Sequence, residues 1–222
     1  MKQDEALERI KDIQRIAERT TLYTQLPGLA AIIGGILALF GCIISYQLIG
    51  SVDFGALINV TASKQLMFII TWACIGIIAI VQEIILTTHD AKKHGINPLS
   101  RPGKLSAYSL TPSLFIAAII TLKLLLDITS SIAPHSIRYI APVWMMCYGT
   151  GIYAAGLFSV RLPRLLGLAF IILGAVSIMY LDYYGVILVA LTFGMLHIIF
   201  GAIVMHRAKK RNKRNDSHDN TR

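Results

Sequence analysis

Lys123 and Asp127 stand four residues apart in an otherwise apolar stretch. On a helix, that spacing puts the ammonium and the carboxylate on one face, one turn apart. There they neutralise each other or pass a proton between them. Glu83 and His197 also fall inside apolar runs. Ionisable groups in hydrocarbon are costly, so Lys123, Asp127, His197 and Glu83 form the candidate intramembrane polar site. At about 1.5 Å per residue, Glu83, His197, Lys123 and Asp127 step from the inner side of an apolar layer to the outer side. Asp53, Asp182, His135 and Arg138 then lie at the outer rim. A relay of titratable groups has this layout when its members face one another. Each group also has a plainer reading. Lys123 and Asp127 serve as a neutralising pair, Glu83 beside Gln82 reaches the headgroups, and His197 is a hydrogen-bonded packing residue.

Other chemistry is thin. His89, Asp90 and His94 crowd one segment, but a five-residue gap between the histidines is awkward for one helical face, and no metal site is expected. Cys42, Cys74 and Cys147 lie far apart in apolar runs and are expected to be single buried thiols. The chain has no Walker-type phosphate loop and no G-x-S-x-G, H-E-x-x-H or C-x-x-C motif. No catalytic residue and no cofactor are expected on that basis.

The elements that carry these residues must be apolar helices. Of 222 residues, 55% are hydrophobic and 15% charged, against about 25% charged in a soluble domain. Mean hydropathy is +0.63. The expected fold is all-α, a six-helix transmembrane bundle. A crossing takes about 20 residues, and runs of that kind cover 26–49, 66–87, 113–130, 137–160, 165–181 and 184–205. Residues 1–25 read as a cytoplasmic amphipathic helix, 26–205 as the membrane domain, and 206–222 as a polybasic tail without fixed structure.

The punctuation agrees with these runs. Thr111-Pro112 reads as an N-cap followed by a proline at the first helical position, and Pro27 and Pro163 also sit at helix starts. The second helix is expected to run through Ala91-Lys92-Lys93-His94 to a stop at Gly95 and Pro98. Pro142 either starts the fourth helix late or kinks it. The fifth and sixth runs are joined only by Asp182 and Tyr183, which demands a tight antiparallel hairpin. Gly34/Gly41, Gly149/Gly156, Gly167/Gly174 and Gly194/Gly201 each lie seven residues apart, hence on one helical face. Small residues there let backbones approach closely, with a sliding interface as the alternative reading. Tyr46, Tyr180, Tyr183 and Tyr184 fall where the outer headgroups are expected.

Orientation follows from the bases. With the N-terminus inside, 18 of the 21 lysines and arginines fall on the inner side, leaving Lys64 and Arg138 outside and Lys123 within a run. Both termini are therefore expected in the cytoplasm. The net charge of +9 reflects this topology, and no nucleic-acid partner is expected. The first 25 residues hold five acids and five bases with no apolar core of a signal peptide, so no cleavage is expected.

Residues 4–24 place Ala6, Ile10, Ile13, Ala17, Thr20 and Thr24 at alternating steps of four and three. This helix is expected to lie on the membrane or dock within the molecule, with a protein partner or self-association as the alternative. The run Arg207-Ala208-Lys209-Lys210-Arg211-Asn212-Lys213-Arg214 is expected to attract anionic lipid from the bilayer.

The stretch from Glu18-Arg19-Thr20-Thr21-Leu22-Tyr23 through Thr24-Gln25-Leu26-Pro27-Gly28 to Gly34-Gly35 resembles the N-terminus of a group of bacterial multi-pass membrane proteins, of about six spans, that have no assigned activity. The resemblance covers the leading helix and the first run well, and the remainder in general layout. It implies a bacterial inner-membrane location and carries over no site residues. The expectation is an integral membrane protein of non-enzymatic, regulatory or accessory type. The alternative is a small ion or solute transporter, proton-linked through Lys123, Asp127, His197 and Glu83.

Overall fold

The computed structural model describes residues 8–9, 28–93, 101–128, 134–157 and 161–219. All but two residues of the expected helix over 4–24 lie outside them, as do Pro27, His94, Gly95 and Pro98. The described residues are helical throughout, with short turns and no strand. The long elements are α1 (Gly28–Ile49), α2 (Ala62–Lys93), α3 (Arg101–Asp127), α4 (Ile140–Gly156) and α5 (Arg161–Val176). Then come α6 (Gly185–Val189) and α7 (His197–Asp219), continuous through a π-helical segment, Ala190–Leu196.

Local chemistry sets several boundaries. α1 stops at Gly50, which takes φ +71° and donates its N–H to the Tyr46 carbonyl at 2.8 Å. That left-handed position is one a glycine occupies without the penalty of a Cβ. Pro142 sits in the first turn of α4, where a missing N–H costs no helical bond. Pro163 occupies the first turn of α5 in the same way.

Three expectations are corrected. Pro112 does not open α3 but lies inside it, because the helix begins at Arg101. A proline removes one backbone bond, and contacts such as Leu110 against Gly151 of α4 carry the helix past it. Residues 206–219 are helical and prolong α7 to Asp219. The segment contains no glycine or proline and is rich in arginine and lysine, which favour helices. Cys74 is exposed, while Cys42 is buried and Cys147 half-buried, all three as free thiols.

Among the described residues, four helical stretches are long and apolar enough to cross a membrane: Gly28–Ile49, Ala62–Asp90, Tyr108–Asp127 and Arg161–Lys210. The last spans 50 residues, about 75 Å of helix, more than twice a hydrocarbon core of about 30 Å. It is not one rod. Its course breaks at the 3₁₀ turn Asp182–Tyr184, and Phe170 before the break lies 4.9 Å, ring centre to ring centre, from Phe193 after it. The two arms therefore form the tight hairpin that the two-residue link demanded. α4 has 17 residues and is extended at its start by the 3₁₀ turn Pro134–Tyr139.

Neighbouring helices run antiparallel. Trp72 Nε1 donates to Ser45 Oγ at 2.9 Å and Gln82 Nε2 to the Ala30 carbonyl at 3.2 Å, pinning α2 to α1 at two levels. Trp144 Nε1 donates to Thr121 Oγ1 at 2.8 Å, tying α4 to α3. Such bonds hold helices together where apolar surroundings supply no hydrophobic drive.

The glycine pairs lie on faces packed against neighbouring helices. A Cβ on Gly149 would stand 2.8 Å from the Gly167 carbonyl oxygen, so the α4 and α5 pairs do face each other. Gly194 and Gly201 meet Gly35 and Gly28 of α1. A Cβ on Gly35 would lie 2.7 Å from the Gly194 oxygen, while Gly41 backs onto Trp72 and Ile75. A Cβ on Gly34 would lie 4.0 Å from Gln82 Nε2, so Gly34 and Gly41 share the face turned to α2, while Gly28 and Gly35, also seven apart, take the face turned to α7.

Two apolar clusters fill the interior. One gathers Phe54, Leu57, Ile137, Phe68 and Val186 at the end of the molecule that carries Arg138. The other gathers Met145, Leu166, Phe170, Leu188 and Phe200. α2 contributes little to either, since none of its most apolar window is buried. Most of its isoleucines, though not Ile75, and Ile116 and Ile119 of α3 point outward.

Candidate functional site

The four candidate groups occupy separate places. Lys123 Nζ bonds Asp127 Oδ1 along α3, with the lysine side chain 69% exposed. The pair is closed on itself at the outside of the molecule. Glu83 accepts a hydrogen bond from Thr87 Oγ1 one turn on, at 3.3 Å. His197 is buried at the start of α7. Of the four, only Lys123 and Asp127 are in direct contact.

His197 has instead a partner that sequence reasoning missed. The Tyr148 hydroxyl on α4 lies 2.7 Å from His197 Nε2, and His197 Nδ1 lies 3.2 Å from the Thr192 carbonyl oxygen. A carbonyl only accepts, so Nδ1 carries the proton of the neutral ring and Nε2 accepts from the tyrosine. The π-helical segment makes this possible locally. Its wider turn presents the Thr192 carbonyl to a side chain five residues on, while Thr192 Oγ1 donates back to the Leu188 carbonyl at 2.6 Å. Single π turns of this kind occur often at functional positions.

Aromatic rings close the pocket around the imidazole. Phe193 stacks parallel to it, with 8° between planes and centres 5.9 Å apart. Phe170 meets it edge-on at 5.3 Å. The arrangement holds a neutral imidazole between one O–H donor and one acceptor in apolar surroundings. A signal for Tyr148 was present in the sequence, since it lies mid-run, unlike the tyrosines that cluster at the ends of the apolar runs.

A second polar cluster joins residues placed at one rim by the sequence. Arg138 Nη2 lies 3.5 Å from Asp53 Oδ2 and Nη1 lies 3.7 Å from Asp182 Oδ2. The guanidinium also covers the Tyr183 ring at 4.1 Å. Burial acts to lower the Arg138 pKa, but Tyr183 and the two carboxylates outweigh it and raise it above its usual value. Asp53 in turn accepts the Gly55 N–H at 2.6 Å and caps the 3₁₀ turn Phe54–Asn59. One cation thus fastens three turns that are remote in sequence.

Neither cluster has a counterpart to compare with. No family model, no curated protein and no solved structure matches the chain.

Among the described residues, no three His, Cys, Asp or Glu side chains gather where they could hold a metal ion. His89 is exposed on α2, and His94 lies outside the described residues. The chemistry on offer is therefore hydrogen bonding and proton exchange at Tyr148 and His197, and electrostatic fastening at Arg138.

Proposed function

We propose that the chain is a bacterial inner-membrane protein that crosses the bilayer six times with both ends in the cytoplasm. In this reading it acts as a non-enzymatic accessory or regulatory subunit. The observation that carries the second part is the closure of each polar group on a local partner. Lys123 is spent on Asp127, Glu83 bonds Thr87, and His197 is held between Tyr148 and Thr192. A carrier needs such groups to share one path. The outward apolar faces of α2 and α3 and the lysine and arginine asymmetry support membrane residence and orientation.

Two measurements test this. In a chain whose three native cysteines are replaced by serine, Lys64→Cys should react with an impermeant maleimide on intact cells, and Lys209→Cys only after permeabilisation. The reverse pattern removes the orientation. A defined protein should co-purify with the full chain and be lost when residues 1–20 are deleted. Unchanged interactions after deletion remove the accessory reading.

A specific observation favours the transporter as second reading. Tyr148 and His197 form a hydrogen-bonded, proton-bearing pair inside the helices. Under that reading, His197→Ala abolishes proton-coupled flux while folded protein is retained. Flux equal to wild type removes it.

A further inference from the structure

At the end of the molecule opposite Arg138, the last turn of α4 and the first turns of α5 enclose a cleft of about 400 Å³. It is lined by Tyr153, Arg161, Arg164, Leu165 and Leu168. The four α5 residues follow the steps i, i+3, i+4 and i+7, so they form one stripe along that helix. The stripe is graded. Two guanidiniums lie at its start, and the two leucines follow at greater depth, about 6 and 10 Å along the axis from Arg161.

Neither arginine has a counter-ion among the described residues. Among the described residues, the ion pairs are those of Lys123 and Arg138, and Arg164 Nε is buried without a hydrogen-bond partner. Arg164 is also held in position. It lies across the bare backbone of Gly156, where a Cβ would come within 2.7 Å of its Cγ. Leu165 and Leu168, by contrast, are 62% and 43% exposed. An unneutralised, planar pair of donors wants a phosphate or carboxylate, and the adjoining leucines want an alkyl chain. A free inorganic anion satisfies the first requirement and leaves the second unmet.

We propose that this cleft binds one anionic phospholipid, its phosphate held by Arg161 and Arg164 and an acyl chain laid along Leu165 and Leu168. Tyr153 flanks the headgroup at the level where amphipathic rings are favoured. Arg207, Lys209 and Lys210 of α7 are exposed and do not line this cleft. The proposal rests on the membrane reading above, because the stripe then begins at headgroup depth and runs into the hydrocarbon.

The test uses the full chain, first scored for retention in alkali-washed membranes. It is then solubilised in mild detergent, delipidated, and offered phosphatidylglycerol or phosphatidylcholine, with bound lipid read by native mass spectrometry. Wild type is expected to retain phosphatidylglycerol roughly tenfold better, about 1.4 kcal/mol, at one lipid per chain. Arg161→Gln/Arg164→Gln should abolish the preference. Arg161→Gln alone alters an exposed residue and should weaken it, so a misfolded double variant does not decide the matter. Lys209→Gln/Lys210→Gln should leave the preference intact, and millimolar inorganic phosphate should not displace the lipid. Equal retention of the two lipids, loss of preference in the α7 variant alone, or displacement by phosphate overturns the site. A chain washed off the membrane overturns the membrane reading and the site together.

Discussion

The Tyr148 hydroxyl and His197 Nε2 stand 2.7 Å apart, with their ring centres 5.3 Å apart, so one hydrogen bond joins α4 to α7 within an aromatic cluster. Both ring nitrogens of His197 are engaged, since Nδ1 reaches the Thr192 carbonyl. This bond makes the π-helical segment, α4 and α7 one mechanical unit.

Tyr148→Phe keeps the ring and removes the hydroxyl, leaving Nε2 buried and unpaired. The expected loss is about 1–3 kcal/mol, read as a lowered unfolding midpoint in detergent. His197→Phe should cost a similar amount. The double variant removes both partners and should cost less than the two singles together, and strict additivity would rule out the coupling.

Arg138→Gln should release Asp53 and Asp182, both of which pair with it at low exposure. Breaking a partly buried charge network costs about 2–4 kcal/mol. Amide exchange should rise together in the turns at Phe54–Asn59 and Asp182–Tyr184. A rise in only one turn, or in neither, would show that Arg138 does not fasten them.

Gly149→Leu forces a side chain against the Gly167 carbonyl and Phe170, and overpacking at such a contact costs about 1–3 kcal/mol. Gly76 on α2 has open space around the position of a Cβ, so Gly76→Ala should be neutral or stabilise by up to about 1 kcal/mol. Thermal unfolding of the two variants side by side checks the contrast. Equal effects would mean that α4 and α5 are not in the close contact described.

Lys123→Ala/Asp127→Ala removes a pair whose lysine is largely exposed. Stability should change by less than about 0.5 kcal/mol, and any partner binding should persist. Loss of a transport activity in this variant, with protein level unchanged, would favour the carrier reading instead.

Much of the architecture was legible in the residues themselves. Long apolar runs, the two-residue link at Asp182 and Tyr183, and the rim position of Asp53, Asp182 and Arg138 needed only composition, spacing and rise per residue. Those features are local or additive, so a one-dimensional reading reaches them. Pro112 inside α3 and the extension of α7 to Asp219 escape such a reading, because helix ends depend on contacts and propensities that outweigh a single breaker.

What the sequence by itself determined is an all-helical chain with apolar stretches long enough to cross a membrane and a few polar groups set among them. Only the tertiary structure decided which of those groups meet. Tyr148 and His197 are 49 residues apart in the chain, and Arg138 is 85 from Asp53. Arg161 and Arg164 share a cleft with Tyr153 because Gly156 admits the arginine stem. The facing of helices is set by the sum of many weak packing contacts, among them which neighbour each of two adjacent glycines meets, and no single residue encodes that sum.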